Sequence, residues 1–268
     1  MRAAFDHLVH FIDRPPAKAT ELFRQAGFHA VAGGRHEAWG TWNSLSYFGL
    51  SYIEFLAIKD ETVAKQSDNP LIRQLVRDRD LGEGLGQIAL RTSQMDEWVQ
   101  RLRTNDLVVH DPVAGSRKRD DGTTLSWRML FFEDANSKLR PPFFIEWQQS
   151  EEEREQDLTE REIIAPHPNG AQNLQQTGYA VADLEEAASS WLRWFGFQST
   201  DVFVDEQLGA LCQTLIVPGG NIVLCQPNQQ GLAQQALAAR GERPFFVRLA
   251  GEGIERLDIV FGSIYLRS

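Results

Sequence analysis

A chain of 268 residues with 42% hydrophobic side chains is long enough to bury one large core or two ordinary ones. Its formal charge of −10 excludes a nucleic-acid surface, because phosphate binding needs clustered Lys and Arg. No stretch approaches the ~18 uninterrupted apolar residues of a membrane span, and Asp6, His7 and His10 interrupt any apolar signal core at the start.

The expected location is therefore the cytoplasm, and the expected partner is a small molecule rather than a nucleic acid or a membrane. The first predicted module opens with a strand over Ala4 to Ile12. A helix follows from Pro15-Pro16, carries Ala19, Leu22, Phe23 and Ala26 at helical spacing, and stops at Gly27. Extended runs at Phe28 to Val31, Thr41 to Phe48 and Tyr52 to Ile58 complete a βαβββ unit. The connector Lys59 to Gly86 holds a short predicted helix, Pro70 to Arg77.

The plan then repeats. Gln87 to Thr92 reads as a strand and Ser93 as a helix cap, and Met95, Trp98, Val99 and Leu102 form an apolar stripe. Extended runs at Leu107 to His110, Thr124 to Phe132 and Pro142 to Gln148 follow. Glu151 to Arg161 reads as a solvated, charged helix within a linker over 151–171 that turns at Pro166 to Gly170. A third module opens at Thr177 to Ala182, with Asp183 and Glu186 spaced as a capping box and a stripe of Leu184, Ala188, Trp191, Leu192 and Phe195. Its strands are Asp201 to Val204, Ala210 to Val217 and Asn221 to Gln226, and Pro244 to Leu249 and Arg256 to Leu266 suggest a reduced fourth module. Cys212 and Cys225 flank a turn and read as reduced core thiols close together on a hairpin. The predicted class is α+β, with paired modules over 1–150 (1–60 and 84–150), the linker, and a C-terminal region over 172–268.

Strand alternation singles out a few polar residues. Phe5, His7, Val9 and Phe11 share one face of the first strand, and Tyr52, Glu54 and Leu56 share one face of the strand that closes the module. Gln87 and Glu146 take the matching places in the second module. Buried carboxylates are costly unless paired, protonated or bound to a metal, so two on equivalent strands point to a metal or charged-ligand site. The bland alternative for His7 is a satisfied core histidine. His36, in a glycine-rich stretch, either lines a cavity mouth and binds substrate or caps its loop. Trp127 and Arg128 are further substrate-binding candidates, and Arg117 and Arg119 read as loop residues or as gates. His10 should face the helix layer.

Phe5-Asp6-His7, Gly33-Gly34-Arg35-His36, Gly40-Thr41-Trp42-Asn43, Tyr52-Ile53-Glu54, Phe144-Ile145-Glu146-Trp147 and His167-Pro168-Asn169-Gly170 together resemble the glyoxalase-like domain proteins of the vicinal-oxygen-chelate superfamily. The resemblance implies that paired modules form a cupped, mostly antiparallel, half-open barrel. It implies a divalent metal (Zn, Ni, Co, Mn or Fe) held by His7, Glu54, Gln87 and Glu146, with Glu146 or Glu54 as general base. A lyase or isomerase acting on a small vicinal-oxygen substrate is the implied activity. A metal-free protein that binds or sequesters a small molecule in the same cup is the alternative. With only His7 among the ligand positions, the two-histidine iron centre of the superfamily's dioxygenases does not fit. Thr177 and Val223 leave the third module without a ligand pair. Whether modules pair within one chain or across a homodimer is open at this level.

Overall fold

The computed structural model describes residues 1–119, 122–251 and 256–267. The first module is β1 (Ala4–Phe11), α1 (Pro16–Gln25), β2 (Val31–His36), β3 (Thr41–Phe48) and β4 (Ser51–Ile58). Two helices, α2 (Glu61–Gln66) and α3 (Pro70–Asp78), lead to the second: β5 (Gly84–Arg91), α4 (Met95–Thr104), β6 (Val108–Val109), β7 (Val113–Lys118), β8 (Thr124–Leu130), β9 (Phe132–Glu133) and β10 (Phe143–Trp147). The charged run is helix α5 (Glu151–Glu160), started by a capping box between Ser150 and Glu153. The C-terminal region comprises β11 (Ala171–Ala180), α6 (Leu184–Phe195), β12 (Phe203–Asp205), β13 (Ala210–Leu215), β14 (Asn221–Pro227), α7 (Leu232–Arg240), β15 (Arg243–Gly251), β16 (Arg256–Val260) and β17 (Ser263–Arg267).

Two large curved sheets result. The first runs β2-β3-β4-β1-β5-β10-β8-β7 and the second β12-β13-β14-β11-β15-β17-β16. In each, two central strands pair antiparallel (β1 with β5, β11 with β15), and each of them pairs parallel with its module's closing strand. That is the arrangement of two modules about a local dyad. The edges of the first sheet nearly meet, because Gly34 of β2 leaves the space that Arg117 of β7 occupies.

The two sheets share one core on their outer faces, where Phe5, Leu8 and Phe144 pack with Trp98, Trp191, Tyr179 and Val247. His10 crosses this seam, at 2.8 Å from the Tyr265 hydroxyl and 2.9 Å from the Phe261 carbonyl. The concave faces are covered separately. Leu71, Ile72 and Leu75 of α3 pack on Val9, Leu56 and Ala89 in the first sheet, and Ala233 of α7 packs with Val223, Cys225 and Phe246 in the second.

The structure departs from the sequence expectations at identifiable places. Val113–Lys118, where Arg117 is expected on a loop, is a strand, and Asp120 and Asp121 lie outside the described residues. Its glycine, serine and basic side chains carry weak β-propensity, and pairing with β8 decides the outcome. The run Arg256 to Leu266 is two strands, folded back at Phe261-Gly262, where both residues take positive φ. Helix α7 went unpredicted because its Leu232-to-Arg240 stretch is rich in Ala and Gln without a clear apolar stripe. No helix among the described residues is long and apolar enough to cross a membrane.

Candidate functional site

On the concave face of the first sheet, between β1, β3, β4, β8 and α3, lies a cavity of ≈ 60 Å³. By the standard that one water needs about 10–15 Å³, it admits a group of a few heavy atoms. His7 from β1 and Glu54 from β4 face each other inside it, with Nε2 and Oε2 3.8 Å apart. Both side chains are nearly buried. Asn43 of β3 fixes the other Glu54 oxygen through a 2.5 Å Nδ2–H···Oε1 bond, and its own Oδ1 accepts from the Gly34 amide at 2.8 Å. Gly33 makes that possible, since a Cβ there would lie 1.9 Å from Asn43 Oδ1.

Behind His7 stands a second, fully buried acid. Strict alternation would turn Asp6 away from His7, but a register shift in β1 between Phe5 and His7 brings Asp6 Oδ1 to 2.7 Å from His7 Nδ1. Burial pushes the Asp6 carboxyl up, yet the Arg154 guanidinium at 3.2 Å and the His7 bond outweigh it and hold Asp6 at about 2. An ionised Asp6 only accepts, so His7 Nδ1 carries the proton and Nε2 is the nitrogen presented to the cavity. Arg154 comes from α5, lies 4.2 Å over the Trp147 ring, and is buried, with 3% of its surface exposed. Trp147 Nε1 completes the group by donating to Asp6 Oδ2 at 3.0 Å.

The remaining walls are mostly aromatic. Tyr52 stacks on His7 at 4.6 Å, and Trp39, Trp127, Trp147 and Phe143 surround the opening. Trp127 reaches it because Gly115 on the neighbouring strand has no side chain: a Cβ there would lie 2.4 Å from the indole Nε1. His36 lines the cavity and rests 3.1 Å from Thr41 Oγ1. Burial lowers its pKa, the nearby Glu54 charge works the other way, and Arg117 lowers it further, so it is neutral at pH 7. Arg117 is the cation at this wall.

Of the four residues expected to converge, the structure brings together His7 and Glu54 and separates the other two. Gln87 does match His7, since His7 pairs with Ala89 and Val9 with Gln87 across the dyad. Helix α3 intervenes, however, and the Gln87 amide donates to the Pro141 carbonyl at 3.1 Å in a different hollow. Glu146 turns to the opposite face. Ala89 pairs with Phe143 as Val9 pairs with Glu54, so Phe143 holds the place assigned to Glu146, and an offset of an odd number of residues reverses the side chain. Glu146 accepts from the Met95 amide at 3.1 Å, at the start of a helix whose own N-cap residue makes no side-chain cap bond, and from Arg128 at 2.5 Å. Arg128 lies on that outer face too, with Asp96 as its second partner.

This donor set does not fit the implied metal. A catalytic centre ordinarily has about three protein ligands, and among the described residues no group of three His, Cys, Asp or Glu side chains is placed to hold a metal ion. Asp6 and Arg154 escaped the sequence reading. The available signal was Leu158, which with Arg154 one turn earlier marks a buried face on an otherwise charged helix.

A family model described as a glyoxalase-like domain matches residues 5–195. A hypothetical protein from Staphylococcus aureus is similar over 99% of both chains, at 19% identity and a TM-score of 0.78. A mutant of 4-hydroxymandelate synthase from Streptomyces coelicolor is 12% identical over 94% of this chain and 72% of its own, with a TM-score of 0.59. A xylose isomerase-like TIM barrel/4-hydroxyphenylpyruvate dioxygenase fusion protein is 14% identical over 95% of this chain and 37% of its own, with a TM-score of 0.53. At these identities the likeness is one of fold. No curated protein matches the sequence.

Proposed function

The chain belongs to the glyoxalase-like domain family of the vicinal-oxygen-chelate superfamily, and from that premise we propose that it catalyses proton transfer on a small oxygenated molecule, as a lyase or isomerase. The observation that carries this reading is the line Asp6–His7–Glu54 ending in an aromatic cavity. Asp6 orients His7 and keeps the proton on Nδ1, which leaves Nε2 as acid or base. Glu54, anchored by Asn43, is the carboxylate for a proton next to a carbonyl. Arg117 and the neutral His36 are placed at the wall where a substrate oxygen would gain charge. Trp39 and Trp127, edge to face at 6.2 Å, give the carbon skeleton of a substrate an apolar aromatic wall.

The test is solvent deuterium incorporation, followed by NMR, across a panel of small α-keto and hydroxycarbonyl compounds. His7→Ala and Glu54→Gln should each slow exchange by about 10²–10⁴-fold, and a chelator should leave the rate unchanged. Exchange that survives both substitutions, or that a chelator abolishes, overturns the reading. The aromatic lining favours a second reading, binding without turnover. It predicts quenching of tryptophan fluorescence by a flat ligand, with Glu54→Gln leaving the affinity unaltered.

A further inference from the structure

On the far side of α3 from the cavity lies a larger hollow of ≈ 380 Å³, within the usual range of small-ligand pockets. Its floor is Gln74 and Gln87, and its walls carry Arg77 from α3 and Lys138 and Arg140 from the loop before β10. Two of the three nearby acids are engaged by cations: Asp134 is bonded by Arg193 and by Trp194 Nε1, and Asp78 is held by Arg243 at 3.0 Å, while Glu133, exposed at the rim, lies 3.4 Å from His110. Among the described residues Arg77 has an ion-pair contact only with Asp78, at 3.8 Å. Arg140 has no hydrogen-bonded or ion-paired partner among the described residues. Arg140 is exposed at the rim; the protein packed around its base and the charges of Arg77 and Arg243 lower its pKa, against the opposing pull of Asp78. A chain of net charge −10 thus gathers like charges here at an electrostatic cost that a bound anion would relieve.

We propose that this hollow binds a compact dianion, the phosphate or paired carboxylate of a small molecule, with Arg77 and Arg140 as its clamp and Lys138 as a third charge. Guanidinium groups present paired N–H donors that match either anion. The side-chain amides of Gln74 and Gln87 form a polar floor that is already bonded to Gly86, Asp78 and Pro141 and does not need to move.

Calorimetric titration of the full chain with inorganic phosphate and, separately, with malonate tests it at ionic strength matched with sodium chloride. Saturable binding of either probe is expected, and the tighter one identifies the source of the anion. Arg140→Gln and Arg77→Gln should each weaken binding about tenfold or more. Lys138→Gln, on an exposed loop, should weaken it less, and His7→Ala should leave it unchanged. The proposal fails if neither probe saturates, if the affinity is the same in both arginine variants as in the parent, or if His7→Ala abolishes binding.

Discussion

In the first sheet, β1 and β4 bring His7 and Glu54 to the concave face and a cavity opens there; in the second, the same two strands of the module, β11 and β14, carry packed apolar side chains on that face. The register makes the comparison exact in position. Val9 pairs with Glu54 and Gly178 with Val223, so two residues earlier His7 corresponds to Gln176, not to Thr177. Gly178 admits the Phe246 ring, since a Cβ there would lie 1.8 Å from Phe246 Cε1. The ring then packs with Val223, Cys225 and Ala233 where the first sheet keeps its polar pair. One backbone plan yields a site or a core according to what stands on two adjacent strands. An acid and an imidazole keep a cup open; a glycine beside a valine lets an aromatic ring close it.

The strongest way to break this contrast is to empty the second cup. Phe246→Ala should lower unfolding free energy by about 3–5 kcal/mol, read as a fall in the urea midpoint. Parental stability in that variant would mean that the ring does not close the cup. The matching change in the first cup is Asp6→Asn, which leaves the buried Arg154 guanidinium without its anion and should cost about 3 kcal/mol. Asp6 also sets an acid limit. Its folded pKa of about 2 lies below the unfolded 3.8, so its contribution, about 2 kcal/mol, is present above pH 4 and is lost as pH falls toward 2. Denaturation curves of the Asn variant should lack that acid step.

The seam between the sheets gives a smaller effect at milder pH. Burial lowers His10 to about 3 from an unfolded 6.5, against the pull of the Phe261 carbonyl. Protons therefore bind the unfolded chain first, and stability present above pH 6.5 declines below it by at most about 1.4 kcal/mol per pH unit. The urea midpoint should fall between pH 7 and pH 5, and His10→Gln should flatten that dependence. Least costly is Glu146→Ala, expected to lose about 1 kcal/mol through α4 and Arg128 while leaving exchange or ligand binding in the cavity intact. Loss of cavity function in that variant would return Glu146 to the site.

Much of this was legible because it is local. Helical spacing and the glycines at 27 and 196 mark the modules, and α1, α4 and α6 lie where expected, with Asp183 capping α6; Ser93 does not cap α4, whose N-cap is Gln94, and Leu22 and Leu192 of the expected stripes are exposed. His7 and Glu54 could be paired because each sits at mid-strand among apolar neighbours whose alternation fixes the face. Phe143 to Trp147 carries large apolar or aromatic residues on both faces, so alternation supplies no phase, and Glu146 was matched to Glu54 when Phe143 holds that place.

Helices α1, α4 and α6, the repetition of the βαβββ unit and the inward-facing His7 and Glu54 follow from the amino-acid order alone, through forces that act over a few residues. Tertiary structure alone decided the rest: Asp6 acquires an arginine 148 positions away, α3 parts Gln87 from His7, and Glu146 is spent on the start of a helix. These depend on strand register and on distant contacts, and a one-residue slip in register, invisible in composition, exchanges the two faces of a strand.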